Sequence, residues 1–99
     1  MEAGGWRLSI RPSAGREIEG LPESVWQEAI AVIKDLRDDP FPTGSIPLRG
    51  YRNLYRVRFY RDQYRIVYTV SAKGRRIVIE RVRHRGKAYA GLRDPESAA

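Results

Sequence analysis

The chain has 99 residues, 41% of them hydrophobic, and a formal net charge of +7, with no cysteine and one histidine. That length suits one domain with one modest core. The composition excludes disulfides, thiolate metal sites and cysteine nucleophiles, and a lone histidine leaves too few ligands for a zinc site. No apolar run approaches the roughly 18 residues of a membrane span, and the N-terminus lacks the apolar stretch of a signal peptide. The expectation is a cytoplasmic protein that engages no membrane and needs no metal or other cofactor.

In chain order, Trp6-Arg7-Leu8-Ser9-Ile10 alternates apolar and polar residues, a strand pattern. Pro12 and Ser13 end it and can open a short helix over Ala14 to Gly20, anchored by Ile18. Leu21-Pro22 breaks the chain again. From Glu23 to Asp38, Val25, Trp26, Ala29, Ile30, Ile33 and Leu36 recur at helical spacing and form one apolar stripe. Glu23 and Glu28 sit early and Lys34 and Arg37 late, as the helix dipole favours. Pro40, Pro42 and Gly44 mark a loop. The period then changes to two. Leu54 to Phe59 and Tyr64 to Val70 read as a hairpin around Tyr60-Arg61-Asp62-Gln63, and Arg76 to Val82 follows a second turn at Ala72-Lys73-Gly74-Arg75. Arg83 to Leu92 is expected to leave the sheet, and Pro95 to Ala99 to fray. The fold class is α+β. One domain spans 1–99 with an ordered core of about 6–92: a strand, a helix pair, then a three-stranded antiparallel meander with both helices on one sheet face.

The charge is segregated. Pro40 to Arg93 holds 14 basic residues against two acids, Asp62 and Glu80, a local net of +12, whereas Ser13 to Asp39 nets −4. Sixteen of the 19 basic residues are arginine, whose planar donor fork suits phosphate. A bias toward arginine on a solvated surface would explain the count but not its confinement to one half. With Tyr55, Val57 and Phe59 under the helices, Arg56 and Arg58 point to the open face. With Ile66, Tyr68 and Val70 in the core, Arg65 joins them there, beside Val67 and Thr69. Three such cations repel one another and are more stable with an anion bound, and a polymer of phosphates suits the whole basic half. Tyr51, Tyr55, Tyr60, Tyr64, Tyr68 and Tyr89 interleave with arginine. Both residue types stack on unpaired bases, which favours single-stranded RNA or DNA. Tyr55 and Tyr68 read better as strand core than as base contacts. Arg49, Arg52, Arg61, Arg83 and Lys87 extend the set as candidate RNA-backbone contacts.

Leu48-Arg49-Gly50, Leu54-Tyr55-Arg56-Val57-Arg58, Tyr64-Arg65-Ile66-Val67-Tyr68 and Val82-Arg83-His84-Arg85-Gly86-Lys87-Ala88-Tyr89 resemble, in that order, the RelE-type toxins of bacterial type II toxin–antitoxin systems. Leu21-Pro22 and Leu36-Arg37-Asp38-Asp39-Pro40 extend the likeness upstream, so that it covers roughly residues 6–92. The resemblance implies an endoribonuclease that enters the A site of the 70S ribosome and cuts mRNA without a metal. The 2′-hydroxyl attacks the adjacent phosphate and leaves a 2′,3′-cyclic phosphate. Residue by residue, it puts Arg56 and Arg58 where the best-known members carry lysines acting on the 2′-hydroxyl. Arg65 falls on the arginine that stabilises the phosphorane, Arg85 on the arginine near the leaving oxygen, and Tyr89 on the tyrosine that stacks a base. It also implies a cognate antitoxin, with operator DNA bound only through the toxin–antitoxin complex.

The two arginines at 56 and 58 depart from that pattern. A guanidinium releases its proton only above about pH 12, so either electrostatics dominates or another group serves as base. His84, the one side chain with an ordinary pKa near neutrality, is a candidate base or acid; Glu80 reads better as an arginine's ion-pair partner. Two alternatives stand beside the nuclease. One is a ParE-like toxin that poisons DNA gyrase. The other is a catalytically decayed toxin acting only with its antitoxin.

Overall fold

The computed structural model describes residues 5–92. Helix α1 (Pro12–Glu19) follows strand β1 (Arg7–Ile10) directly, with Pro12 in its first turn, where a missing N–H costs nothing. Helix α2 (Glu23–Asp38) carries the predicted stripe, and its Val25, Ala29, Ile33 and Leu36 are buried. It stops before Pro40, which disfavours helical backbone at Asp39.

The remaining strands are β2 (Ile46–Pro47), β3 (Leu54–Phe59), β4 (Tyr64–Ser71) and β5 (Arg76–His84). They build one sheet in the order β1-β5-β4-β3-β2. The meander β3-β4-β5 is antiparallel as expected. Two features extend the expectation. β1 closes the far edge by pairing in parallel with β5, Arg7 opposite Arg76. The two-residue β2 pairs with β3 on the other edge, too short to leave a periodic signal. Residues 95–99, expected to fray, lie outside the described residues.

Both helices cover one face of the sheet. There Ala14, Ile18, Val25, Ala29, Ile33 and Leu36 pack against Val57, Phe59, Ile66, Tyr68, Val70, Ile77, Ile79 and Val82. Ile66, Tyr68, Ile77 and Ile79 are fully inaccessible. The Tyr68 hydroxyl, buried with its ring, donates to the Pro40 carbonyl at 2.8 Å and so ties the strand to the loop leaving α2.

Three expectations need correction. First, Arg83 and His84 do not leave the sheet; β5 runs through His84, and the chain departs in a 3-10 turn over Arg85–Lys87. Second, alternation breaks within β5. Tyr68 faces Ile79 while Val67 faces Arg81, so a bulge at Glu80 resets the faces. The bulge lets Ile77, Ile79 and Val82 all reach the core and turns Arg81 and Arg83 to the opposite side. Third, that opposite face is largely closed. Leu54 and Val67 are fully buried, and Thr69 nearly so. The segment after β5 returns over it: Arg81 Nη1 donates to the carbonyls of Ala88 at 3.1 Å and Ala90 at 2.7 Å, and Ala88 is fully buried. Tyr51 fastens the far end with a hydroxyl bond to the Leu92 carbonyl, 3.3 Å.

Candidate functional site

Directly opposite residues in a sheet share a face. Arg58 of β3 faces Arg65 of β4, which faces Arg83 of β5. Three strands therefore place three arginines in one row. The next row along is Arg56, Val67 and Arg81. These five arginines surround Val67 on the face away from the helices.

Their exposure differs. Arg58 is half exposed, but Arg65 is only 9% exposed and Arg56 only 7%. Arg56 Nη1 donates to the Gly44 carbonyl at 3.3 Å. Burial, and after it the neighbouring Arg58, pushes the Arg56 guanidinium pKa down; the Tyr89 hydroxyl acts on it in the opposite sense. Tyr89 is thus brought within electrostatic range of Arg56, and the residue is 40% exposed. Burial also lowers the Arg81 pKa, and Arg83 adds to the effect.

One carboxylate holds the end of the first row. Asp62 Oδ1 lies 3.2 Å from Arg58 Nε and 3.3 Å from Arg65 Nη1. Arg65 Nη1 also donates to the backbone carbonyls of Asp62 at 2.8 Å and Tyr64 at 3.2 Å. The turn that presents Asp62 is strained. Tyr60, Arg61 and Asp62 have φ of 54°, 56° and 68°, the left-handed region that non-glycine residues avoid. Helix α2 braces it: Glu28 Oε2 accepts from the Tyr60 N–H at 2.6 Å, and Ser24 Oγ lies 3.0 Å from the Tyr60 hydroxyl. The acidic early turns of α2 thereby fix the tip of the arginine hairpin.

The C-terminal segment meets the same tip. The Arg85 N–H donates to the Gln63 carbonyl at 2.8 Å, so Arg85, exposed, starts beside the row. Arg83 Nε donates to Glu17 Oε2 of α1 at 2.6 Å, and its Nη1 contacts the Lys87 carbonyl at 3.4 Å. Arg61 and Lys87 are exposed nearby. Arg49 and Arg52 lie before β3, at the opposite end of that strand from Arg58.

His84 does not join this group. It faces Tyr64 across β5 and β4 on the helix side, edge-to-face at 5.4 Å, and its Nδ1 accepts from the Gly86 N–H at 3.3 Å. It caps the 3-10 turn and packs. Glu80 pairs with Arg11, and its other oxygen accepts from Thr69 Oγ1 at 3.3 Å. Among the described residues no three His, Cys, Asp or Glu side chains cluster to hold a metal.

Residues 8–89 match the family model described as the ParE toxin of type II toxin–antitoxin systems, parDE. The chain belongs to this family. The toxin also superposes on solved RelE structures. In the archaeal RelE–RelB complex from Pyrococcus horikoshii, 27% identity runs over 84% of this chain and 98% of that one, with a TM-score of 0.71. The Mycobacterium tuberculosis RelBE2 complex gives 24%, 81% and 98%, with a TM-score of 0.70. The isolated Escherichia coli RelE toxin gives 18%, 95% and 93%, with a TM-score of 0.71. The last two establish the shared fold. No curated protein matched the sequence. The toxin therefore stands in the RelE/ParE superfamily, whose fold carries both nuclease and non-nuclease members.

Proposed function

We propose that this toxin is an endoribonuclease that acts on mRNA in the ribosomal A site by attack of the 2′-hydroxyl on the neighbouring phosphate. The observation that carries the reading is the arginine row Arg58–Arg65–Arg83, with Arg56 in the next row of the same sheet face. Attack needs positive charge where the phosphorane's charge develops and donors at the attacking and leaving oxygens. Arg65, nearly buried and held by two backbone carbonyls, is preorganised to stabilise the phosphorane. Arg56 and Arg58 lie on the 2′-hydroxyl side. Arg85 meets the leaving 5′-oxygen, and Tyr89 stacks a base. A guanidinium remains charged at neutral pH, so Arg56 contributes electrostatically and not as a base. No metal is required, because the arginines supply the charge a metal would bring.

A cognate antitoxin is the expected partner, since the Pyrococcus horikoshii relative was solved with RelB. An acidic segment folding onto the basic half would neutralise it. Operator DNA would be reached only through that complex, and both partners would work in the cytoplasm, with ribosome and mRNA as targets. A second reading, poisoning of DNA gyrase, is favoured by the matching family model, which is that of ParE.

Induced expression separates the two. Arg65→Ala and Arg85→Ala relieve growth arrest under the nuclease reading while retaining antitoxin capture. If both variants arrest growth as the parent does, the assignment of the row to catalysis is wrong.

A further inference from the structure

A second basic site lies on the same sheet face, away from the arginine row. Arg7 of β1 and Arg76 of β5 are register partners across the parallel pair, as are Ser9 and Val78. Val78 faces Thr69, and Arg76 faces Ser71, on β4. Those β4 residues alternate in phase with Arg65, so Arg7, Ser9, Arg76 and Val78 share the face of Arg58, Arg65 and Arg83. Between them opens a groove of about 230 Å³ lined by Arg7, Leu8, Ser9, Arg76 and Val78. Both arginines are exposed, and no acid lines the groove.

Nearby cations are already engaged. Arg75 donates to the Gly5 carbonyl at 3.3 Å and lies 5.0 Å from the Trp6 ring centre. Arg11 is paired with Glu80. The side chains of Arg7 and Arg76, by contrast, make no hydrogen bond or ion pair among the described residues. Two cations on adjacent strands, roughly 5 Å apart at the backbone, repel each other unless an anion lies between them.

We propose that this groove is a second backbone-binding subsite for single-stranded nucleic acid, with Arg7 and Arg76 on a phosphate, Ser9 as a further donor, and Val78 as an apolar floor for a sugar or base. The occupant follows from charge and continuity. The groove and the arginine row lie on one face, and Arg65 to Ser71 spans six residues of β4, roughly 20 Å at 3.3 Å per residue. A strand held at the row and continuing past the returning C-terminal segment reaches the groove about six stacked nucleotides away, at 3.4 Å each. The inference rests on the row binding RNA, but its test needs no cleavage.

The test uses single-stranded 2′-deoxy-oligothymidylates, which have no 2′-hydroxyl to attack. Binding of a tetramer and a dodecamer is measured against salt for the parent protein and for Arg7→Gln/Arg76→Gln. The tetramer, about 10 Å long when stacked, cannot reach from row to groove; the dodecamer can. The double variant is expected to bind the dodecamer about tenfold more weakly at low salt, with the salt slope reduced by about 1.4, two contacts at 0.7 each. Its tetramer binding stays at the parent value. Unchanged dodecamer binding overturns the subsite, as does an equal loss for both lengths, which would reflect net charge alone. Intact oligonucleotide binding with weakened antitoxin capture also overturns it and gives the groove to an acidic partner. If the parent binds neither length, the reading of the row itself fails, and the subsite with it.

Discussion

Arg58 and Arg65 face each other across β3 and β4 and share one carboxylate oxygen, Asp62 Oδ1, at 3.2 and 3.3 Å. Under the nuclease reading, the carboxylate occupies the place of the substrate phosphate. In the free protein it relieves the repulsion of the row, and a bound anion has to compete with it. Arg65 keeps its two carbonyl partners without it, whereas Arg58 has no other ion pair among the described residues.

Asp62→Ala is therefore expected to tighten binding of a short single-stranded oligonucleotide. One unit charge removed at about 4 Å in water is worth about 1 kcal/mol, roughly fivefold. Thermal stability changes by less than about 1 kcal/mol, because Asp62 is half exposed and such pairs contribute little. Anisotropy titration at low salt measures it. Weaker binding in the variant would mean that the carboxylate positions the arginines more than it competes with substrate.

Glu17 of α1 protects the free stretch of β5. Beyond the end of β1, the Val82 N–H donates to Glu17 Oε1 at 3.0 Å, while Glu17 Oε2 holds Arg83. Glu17→Ala leaves a buried N–H unsatisfied and is expected to cost about 1–3 kcal/mol in urea unfolding. Hydrogen exchange at Val82 should accelerate. An unchanged midpoint would show that water replaces the carboxylate.

The sequence was most legible where one period held over a long stretch. Glu23–Asp38 and Leu54–Phe59 have the predicted bounds because apolar spacing defines them. Arg58 and Arg65 share the predicted face for the same reason. Arg81 escaped notice because the Glu80 bulge shifts alternation by one residue, and no local residue type announces a bulge. The only hint was a conflict, since unbroken alternation cannot bury Ile77, Ile79 and Val82 together. Asp62 was visible as a rare acid in a basic half, but its place between Arg58 and Arg65 depends on left-handed backbone at three consecutive non-glycine residues. The burial of Arg56 was hidden because it depends on tertiary contacts around its face, including the Gly44 carbonyl.

Tyr68 sets an alkaline limit. Burial pushes its hydroxyl pKa up to about 12 from an ordinary value of 10.0. A raised folded pKa stabilises the fold fully below pH 10, and that contribution is lost as pH rises from about 10 to 12. At 1.36 kcal/mol per unit the loss is about 3 kcal/mol. Tyr68→Phe removes this titration and the bond to the Pro40 carbonyl. The stability gap between parent and variant should therefore narrow over that window. A gap independent of pH would contradict the burial of an un-ionised hydroxyl.

Tyr89 is exposed and carries no fold-building contact comparable to that of Ala88 beside it. Tyr89→Ala should keep the melting temperature, within about 0.5 kcal/mol of stability, and still relieve growth arrest. Tyr89→Phe keeps the stacking ring and should retain most toxicity. Equal toxicity of the alanine variant would remove Tyr89 from the site.

The central claim is that the arginine row cuts mRNA on the ribosome. Purified toxin added to programmed ribosomes, followed by mapping of mRNA 5′ ends, tests it directly. The predicted result is codon-phased cleavage in the A site, leaving 2′,3′-cyclic phosphate ends, abolished by Arg65→Ala. Intact mRNA, with gyrase-dependent DNA cleavage in a parallel assay, would contradict it.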